Sequence, residues 1–127
     1  MHVLFVEDDP MNRAVVRDML TTVEVDMAEA EDAEIGLRMI DGTTYDAVLM
    51  DLRMPGMDGL TAIRHIRARG DAKGQVPIIV ITADTAEDLH QRCISAGADH
   101  VLGKPVPMNA LFDTLSDVID RSTAYTL

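Results

Sequence analysis

The sequence predicts an α/β fold, a doubly wound parallel sheet with helices on both faces. Short apolar runs alternate with longer amphipathic segments along the whole chain. The apolar runs are mostly continuous, which is typical of strands that are covered on both faces. A regular alternation of strands and helices favours right-handed crossovers between parallel strands. Together these observations predict five strands and five helices.

The strands are predicted from runs of Val, Ile and Leu. The run VLFV is the first of them, and the fourth run is the most apolar, with Pro77 near its start, where a missing N–H donor is tolerated. The second strand is the weakest, because acidic residues interrupt it. The predicted strands are residues 3–6, 24–28, 47–50, 76–81 and 100–102.

The helices are predicted from apolar residues at helical spacing. Gly42 and Gly97 supply helix stops, and Thr85 followed by Asp88 predicts a capped start for the fourth helix. The predicted helices are residues 12–20, 32–40, 59–68, 85–96 and 109–121.

Five strands fit the flavodoxin-like order 2-1-3-4-5, in which ligands bind beyond the carboxyl ends of the strands. We expect one domain over residues 1–121. Residues 122–127 are expected to form a short C-terminal tail that is too short for an output domain.

The composition disfavours several classes of protein. The formal net charge is −11, which repels nucleic-acid phosphates and anionic lipids. A single cysteine allows neither an internal disulfide nor a cysteine-rich zinc site. No apolar run is long enough to span a membrane, and the first residues lack the features of a signal peptide. We therefore expect a cytoplasmic setting, with no binding to nucleic acid and no membrane insertion.

Polar residues stand directly after the predicted strands. Glu7 and Asp8 follow the first strand, Asp51 the third, Thr82 the fourth, and Lys104 comes after the fifth. Three carboxylates at one sheet edge repel each other, and one lysine offsets a single charge. Oxygen ligands of this kind favour a hard cation, so the sequence predicts a Mg²⁺ site.

Four segments of the chain together resemble the receiver domains of bacterial two-component response regulators. Each motif alone is weak, but all four occur in the family's order and spacing between residues 3 and 105. They are FVEDDP at 5–10, VLMDLRMPGMDG at 48–59, IVITA at 79–83, and GAD at 97–99 continuing to GKP at 103–105.

The resemblance implies a role for each matching position. Asp51 would accept a phosphoryl group, with Lys104, Thr82 and the backbone N–H of Ala83 stabilising it. The implied Mg²⁺ ligands are Asp8, Asp51, the backbone carbonyl of Arg53, and Glu7 through a water molecule. The implied donor is a sensor histidine kinase or a histidine phosphotransfer protein.

Three further positions are expected to tune this chemistry. Arg53 and Asp84 match the family positions that flank the path of the hydrolytic water, and their opposite charges predict a pair that slows loss of the phosphate. Val101 stands where the family usually has Tyr or Phe, so the usual ring movement is unavailable: either backbone shifts around Thr82 and the fourth helix carry the switch, or activation is weakly coupled. The resemblance places contact with a downstream partner at the fourth helix, fifth strand and fifth helix, roughly residues 84–115.

Two other functions fit these residues less well than a receiver domain does. A pseudo-receiver that only binds partners would not need a self-repelling acidic cluster. A haloacid-dehalogenase-type phosphatase needs a second Asp two residues after Asp51, where this chain has Arg53. We therefore expect no enzyme activity beyond the domain's own phosphorylation and dephosphorylation. The sequence leaves open whether the domain stands alone or belongs to a hybrid kinase.

Overall fold

The computed structural model of the chain describes the backbone of residues 1–124 and the side chains of residues 1–119. Its strands are β1 (His2–Val6), β2 (Asp26–Ala30), β3 (Ala47–Met50), β4 (Ile78–Thr82) and β5 (His100–Gly103). They form one parallel sheet in the order β2-β1-β3-β4-β5. The predicted fold class and strand order are confirmed.

Helices cover both faces of this sheet. They are α1 (Pro10–Thr21), α2 (Ala33–Gly42), α3 (Gly59–Arg67), α4 (Leu89–Ala96) and α5 (Met108–Ala124), with a 3₁₀ turn at Ala72–Gln75. Helices α1 and α5 pack on one face, and α2, α3 and α4 pack on the other. The central strands β1, β3 and β4 are almost entirely buried, as their continuous apolar sequences predict.

Aspartates begin three of the helices. Asp9, Asp32 and Asp58 each accept a hydrogen bond from a backbone N–H in the first turn of α1, α2 and α3, respectively. Such caps satisfy N–H groups that have no partner inside a helix. At the other end of α4, Gly97 has φ +121° and donates its N–H to the carbonyls of Cys93 and Ile94, which confirms the predicted stop.

Four elements begin two or more residues away from the predicted position: α1 begins at Pro10 rather than residue 12, β4 at Ile78 rather than residue 76, and β2 and α4 also begin later than predicted. Strand β2 begins at Asp26 rather than residue 24, because Glu24 takes φ +60° and the N–H of Val25 still bonds to the Leu20 carbonyl at the end of α1. Helix α4 begins at Leu89 rather than Thr85, because Asp84 instead caps a turn by accepting from the Ala86 N–H at 2.9 Å.

The carboxyl-terminal helix is longer than predicted. Helix α5 continues to Ala124, so the tail expected at residues 122–127 begins within it. Residues 125–127 of that tail lie outside the described part of the chain. No helix within residues 1–124 combines the length and apolar character that a membrane crossing needs.

Gly59 allows α3 to start against the backbone of the loop after β3. A Cβ atom at this position would collide with the Asp51 carbonyl oxygen and lie 2.9 Å from the Leu52 Cα. The Gly59 N–H also bonds to the Leu52 carbonyl at 3.0 Å. The absence of a side chain therefore brings the helix close to Asp51.

We predict that Gly59→Ala lowers the free energy of unfolding by about 1–3 kcal/mol, the range typical of overpacking. Gly42→Ala is the matched control, since nothing lies within 4 Å of its added Cβ. Alanine there should be neutral or stabilising by up to about 1 kcal/mol. Urea denaturation measures both, and equal stability of the two variants would contradict this account.

Candidate functional site

Four loops meet at the carboxyl edge of the sheet and form a cleft of about 270 Å³. The loops after β1 and β3 diverge here, since α1 and α3 lie on opposite faces. The residues lining the cleft are Glu7, Asp8, Asp9, Asn12, Asp51, Arg53, Thr82, Ala83 and Lys104. This set includes every residue for which the sequence predicted a role in binding phosphate or metal.

Lys104 connects two buried carboxylates across the cleft. Its Nζ lies 2.6 Å from Glu7 Oε1 and 3.1 Å from Asp51 Oδ1. Glu7 is 1% exposed and Asp51 is 5% exposed. Burial favours a lower pKa for Lys104, but the hydrogen bond to Glu7 and the charge of Asp51 raise the pKa above its ordinary value. Lys104 therefore carries its positive charge at the centre of the cleft.

The loop after β1 holds Glu7 with several further donors. Asn12 Nδ2 donates to Glu7 Oε1 at 3.1 Å, and the Asp9 N–H donates to Oε2 at 3.3 Å. Arg13 Nη1 donates to the Glu7 backbone carbonyl at 2.6 Å. Sequence reasoning missed Asn12, because it placed the start of the helix at residue 12 and assigned only the acidic pair before it to the cleft.

Asp8 is the exposed member of the acidic group. Partial burial raises its pKa, and the neighbouring Glu7 carboxylate raises it further. One oxygen from each of Glu7, Asp8 and Asp51 can be chosen so that all three lie within 4.8 Å of one another. With the single ammonium of Lys104, these three carboxylates leave a formal charge of −2. An all-oxygen group of this charge fits a hard divalent cation.

Thr82 and Ala83 form the wall contributed by β4. Thr82 is 3% exposed, and its Oγ1 accepts the Asp84 N–H at 3.1 Å. Its carbonyl accepts the Lys104 N–H at 2.8 Å, which links the ends of β4 and β5. A rotation of the Thr82 hydroxyl toward Asp51 would therefore release the Asp84 N–H.

An ion pair crosses the mouth of the cleft. Arg53 Nη2 lies 3.1 Å from Asp84 Oδ2, with side chains 80% and 21% exposed, respectively. The Ala86 N–H, followed by the Arg53 guanidinium, holds the pKa of Asp84 below its ordinary value. The exposure of Arg53 means that this pair adds little to stability, but it fixes the position of Arg53, one of the residues that line the cleft.

Val101 lies outside the cleft, in the middle of β5. It pairs with Val80 of β4 and packs against the core beneath α2, α3 and α4. The lone Cys93 is buried in that same core, which agrees with a packing role.

The chain is similar in sequence to proteins of one known family. The family described as response regulator receiver domain matches residues 3–116. The sensor histidine kinase RcsC of Salmonella typhi is 34% identical over 121 residues, which are 95% of this chain and 12% of that protein. The sensory/regulatory protein RpfC of Xanthomonas campestris is 34% identical over 119 residues, 93% of this chain and 16% of that protein.

The chain thus spans less than one fifth of the length of these relatives. Among solved structures, the receiver domain of sensor histidine kinase PA1611 from Pseudomonas aeruginosa is 35% identical, with a TM-score of 0.85 over 94% of this chain and 97% of that one. Its structure has a magnesium ion coordinated in the active site cleft. The receiver domain of Francisella response regulator 1452 is 22% identical, with a TM-score of 0.87 over 95% and 98% of the two chains, and supports the fold.

Proposed function

This chain belongs to the response regulator receiver domains of two-component systems, and we propose that it accepts a phosphoryl group on Asp51 in a Mg²⁺-dependent reaction. The observation that carries the proposal is the contact of the buried Asp51 carboxylate with Lys104 at 3.1 Å, at the end of a central strand. Phosphorylation then switches the binding of a partner.

The side chains of the cleft suit an in-line transfer from a phosphohistidine. An Asp51 carboxylate oxygen forms the new bond to phosphorus, while the bond from phosphorus to the histidine nitrogen breaks and its electron pair stays on that nitrogen. Lys104 turns its ammonium toward the phosphoryl oxygens, and the Ala83 N–H and Thr82 hydroxyl donate to them. These donors stabilise the negative charge of the transferred group.

The metal ligands in this proposal are Asp8, Asp51, the Arg53 backbone carbonyl and, through a water molecule, Glu7. The acidic cluster of the cleft and the magnesium ion in the PA1611 receiver domain support this set. When bound, Mg²⁺ supplies positive charge that neutralises the phosphoryl oxygens.

The relatives suggest the source of the phosphoryl group. Since sensor histidine kinases contain segments similar to this chain, we propose a sensor histidine kinase or a histidine phosphotransfer protein as donor. The cytoplasm is the compartment we propose for the exchange. Beyond its own phosphorylation and dephosphorylation, the domain catalyses no reaction in this proposal.

We predict that Mg²⁺ stabilises the protein, because the ion relieves repulsion among the carboxylates. A Mg²⁺ concentration ten times the Kd should add about 1.4 kcal/mol, which raises the Tm by a few degrees. Thermal unfolding in MgCl₂ is compared with NaCl of equal ionic strength. Asp8→Asn should lose most of the shift, whereas Asp18→Asn, on the exposed side of α1, should keep it. No difference between the two salts would contradict the metal site.

We predict that Asp51→Asn abolishes phosphorylation and preserves the fold, because asparagine keeps the shape and removes the nucleophilic carboxylate. Acetyl phosphate with Mg²⁺ is the donor, and intact-protein mass spectrometry measures the added phosphoryl group. Asp113→Asn, at an exposed position on α5, is the matched control and should be labelled at the wild-type rate. An unlabelled wild type would instead favour a phosphate-independent interaction module.

The Arg53–Asp84 pair predicts a comparatively stable aspartyl phosphate. The pair hinders the approach of a water molecule to phosphorus and leaves no free carboxylate at position 84 to orient it. Arg53→Ala and Asp84→Ala should each speed the loss of the phosphate, and a tenfold change corresponds to about 1.4 kcal/mol in the barrier.

Decay is followed by mass spectrometry after removal of the donor. Arg17→Ala, which breaks an exposed ion pair between α1 and Glu29 of β2, is the control and should decay at the wild-type rate. Unchanged or slower decay of the aspartyl phosphate in both cleft variants would exclude the proposal that the Arg53–Asp84 pair slows hydrolysis.

The proposed partner surface is the face of α4, β5 and α5, roughly residues 84–115. Thr82 lies at the edge of this face, and the half-buried Val101 lies within β5. Since valine has no ring to turn inward, the signal in this proposal travels through backbone shifts around Thr82 and α4.

We predict that Val101→Tyr changes partner affinity more than phosphorylation rate. The added ring lies on the partner face and outside the cleft. Affinity is measured by calorimetry with a downstream partner, identified as a protein that binds the beryllofluoride-activated wild-type chain more tightly than the unactivated chain, and the rate is measured with acetyl phosphate. An equal change in both quantities, or a change in neither, would show that position 101 does not couple phosphorylation to partner binding.

A further inference from the structure

The carboxylate of Glu7 depends on very few donors. Its Oε1 accepts from Lys104 Nζ at 2.6 Å and from Asn12 Nδ2 at 3.1 Å, and its Oε2 accepts the Asp9 N–H at a long 3.3 Å. Among residues 1–119, Lys104 and Asn12 are the two side chains that donate to it. At 1% exposure, bulk water cannot readily replace either of them, so the water molecule of the proposed metal site would be the one further donor to Glu7.

Lys104 donates to two carboxylates but carries a single positive charge. Its ammonium also donates to Asp51 Oδ1 at 3.1 Å. In the proposed reaction this ammonium turns to the phosphoryl group on Asp51, so Glu7 loses its strongest donor. A buried carboxylate without donors is costly, because the lost hydration is not replaced. Without the Asn12 amide, Glu7 Oε1 would then have no side-chain donor, and Glu7 would either move out of place or keep Lys104 from the phosphoryl group.

We propose that Asn12 is a positioning residue of the phosphoryl-transfer site, whose amide holds the Glu7 carboxylate while Lys104 moves from Glu7 to the phosphoryl group. The inference rests on the proposed function of Asp51. It assigns to Asn12 no contact with the phosphoryl group itself, and its effect on the reaction passes through Glu7 and Lys104.

The local structure places the Asn12 amide firmly. Asp9 caps the helix by accepting the Met11 N–H at 2.9 Å, and its carbonyl accepts the Arg13 N–H at 3.1 Å. The Arg13 guanidinium ties the Glu7 carbonyl to the same turn of α1 and pairs with Glu29 at 3.2 Å. Both ends of the Asn12–Glu7 hydrogen bond are therefore held by one turn of helix.

The residue type also suits this role. An amide donates a hydrogen bond without adding charge, so it can support Glu7 without neutralising the acidic cluster. A lysine or arginine here would compete with a cation for the carboxylates. An aspartate would add a further carboxylate to the four that already line the cleft and could not donate.

The first test measures phosphoryl transfer. With saturating Mg²⁺ and acetyl phosphate, at a temperature well below the Tm, Asn12→Ala should be labelled about tenfold more slowly, while the acetyl phosphate concentration for half-maximal rate changes less than twofold. Asn12→Asp, which keeps the shape and lacks the donor, should be at least as slow. Gln75→Ala, which removes an exposed side-chain amide in the 3₁₀ turn outside the cleft and the partner surface, is the matched control and should react at the wild-type rate.

The second test is independent of activity. The side-chain amide signal of Asn12, assigned by its loss in Asn12→Ala, is followed by ¹⁵N NMR in the metal-free protein and after addition of Mg²⁺ and beryllofluoride. The hydrogen bond to Glu7 should persist, so exchange of the amide protons with water should change less than twofold. A tenfold faster exchange in the activated form would overturn the inference.

The outcomes separate the two proposals. If the wild type is not labelled, the proposed function and this inference both fail. If the wild type is labelled and either cleft variant of Asn12 matches it, the inference alone fails. A lower Tm in Asn12→Ala with an unchanged labelling rate would mean that Asn12 has only a structural role, and this too would overturn the inference.

Discussion

The contact of one lysine with two buried carboxylates is the interaction on which the rest of this site depends. Lys104 comes from the end of β5, Glu7 from β1 and Asp51 from β3, so their meeting requires the complete sheet. Burial makes each charge expensive unless it is paired. The pairing also leaves an excess of negative charge beside Asp8, and this excess makes the cleft suitable for a cation.

The fold supports that contact mainly through its backbone. Gly59 allows α3 to begin against the carbonyl of Asp51, and the Thr82 carbonyl accepts the N–H of Lys104. Helix α1 begins directly after the acidic pair and returns the Asn12 amide to Glu7. The charged side chains are thus positioned by short connections at the ends of otherwise apolar strands.

Much of the fold could be predicted because its patterns are local. Continuous apolar runs marked β1, β3 and β4, and Gly97 marked the end of α4. The prediction failed where a hydrogen bond competed with the pattern. Thr85 looked like a helix cap, but the Asp84 carboxylate takes the Ala86 N–H and delays the helix to Leu89. Likewise, residues near Glu24 remain in the turn after α1 instead of joining β2.

The sequence by itself determined the strand order, the identity of the residues at the sheet edge and their resemblance to a known family, because each follows from order and spacing along the chain. Only the tertiary structure decided that Lys104 contacts Glu7 at 2.6 Å as well as Asp51, that Asn12 shares Glu7 with it, and that Arg53 reaches Asp84. These contacts join residues on different loops of the cleft or, for Asn12 and Glu7, a loop residue and the first turn of the helix that follows it. Distances between side chains depend on packing and rotamers that no local pattern encodes.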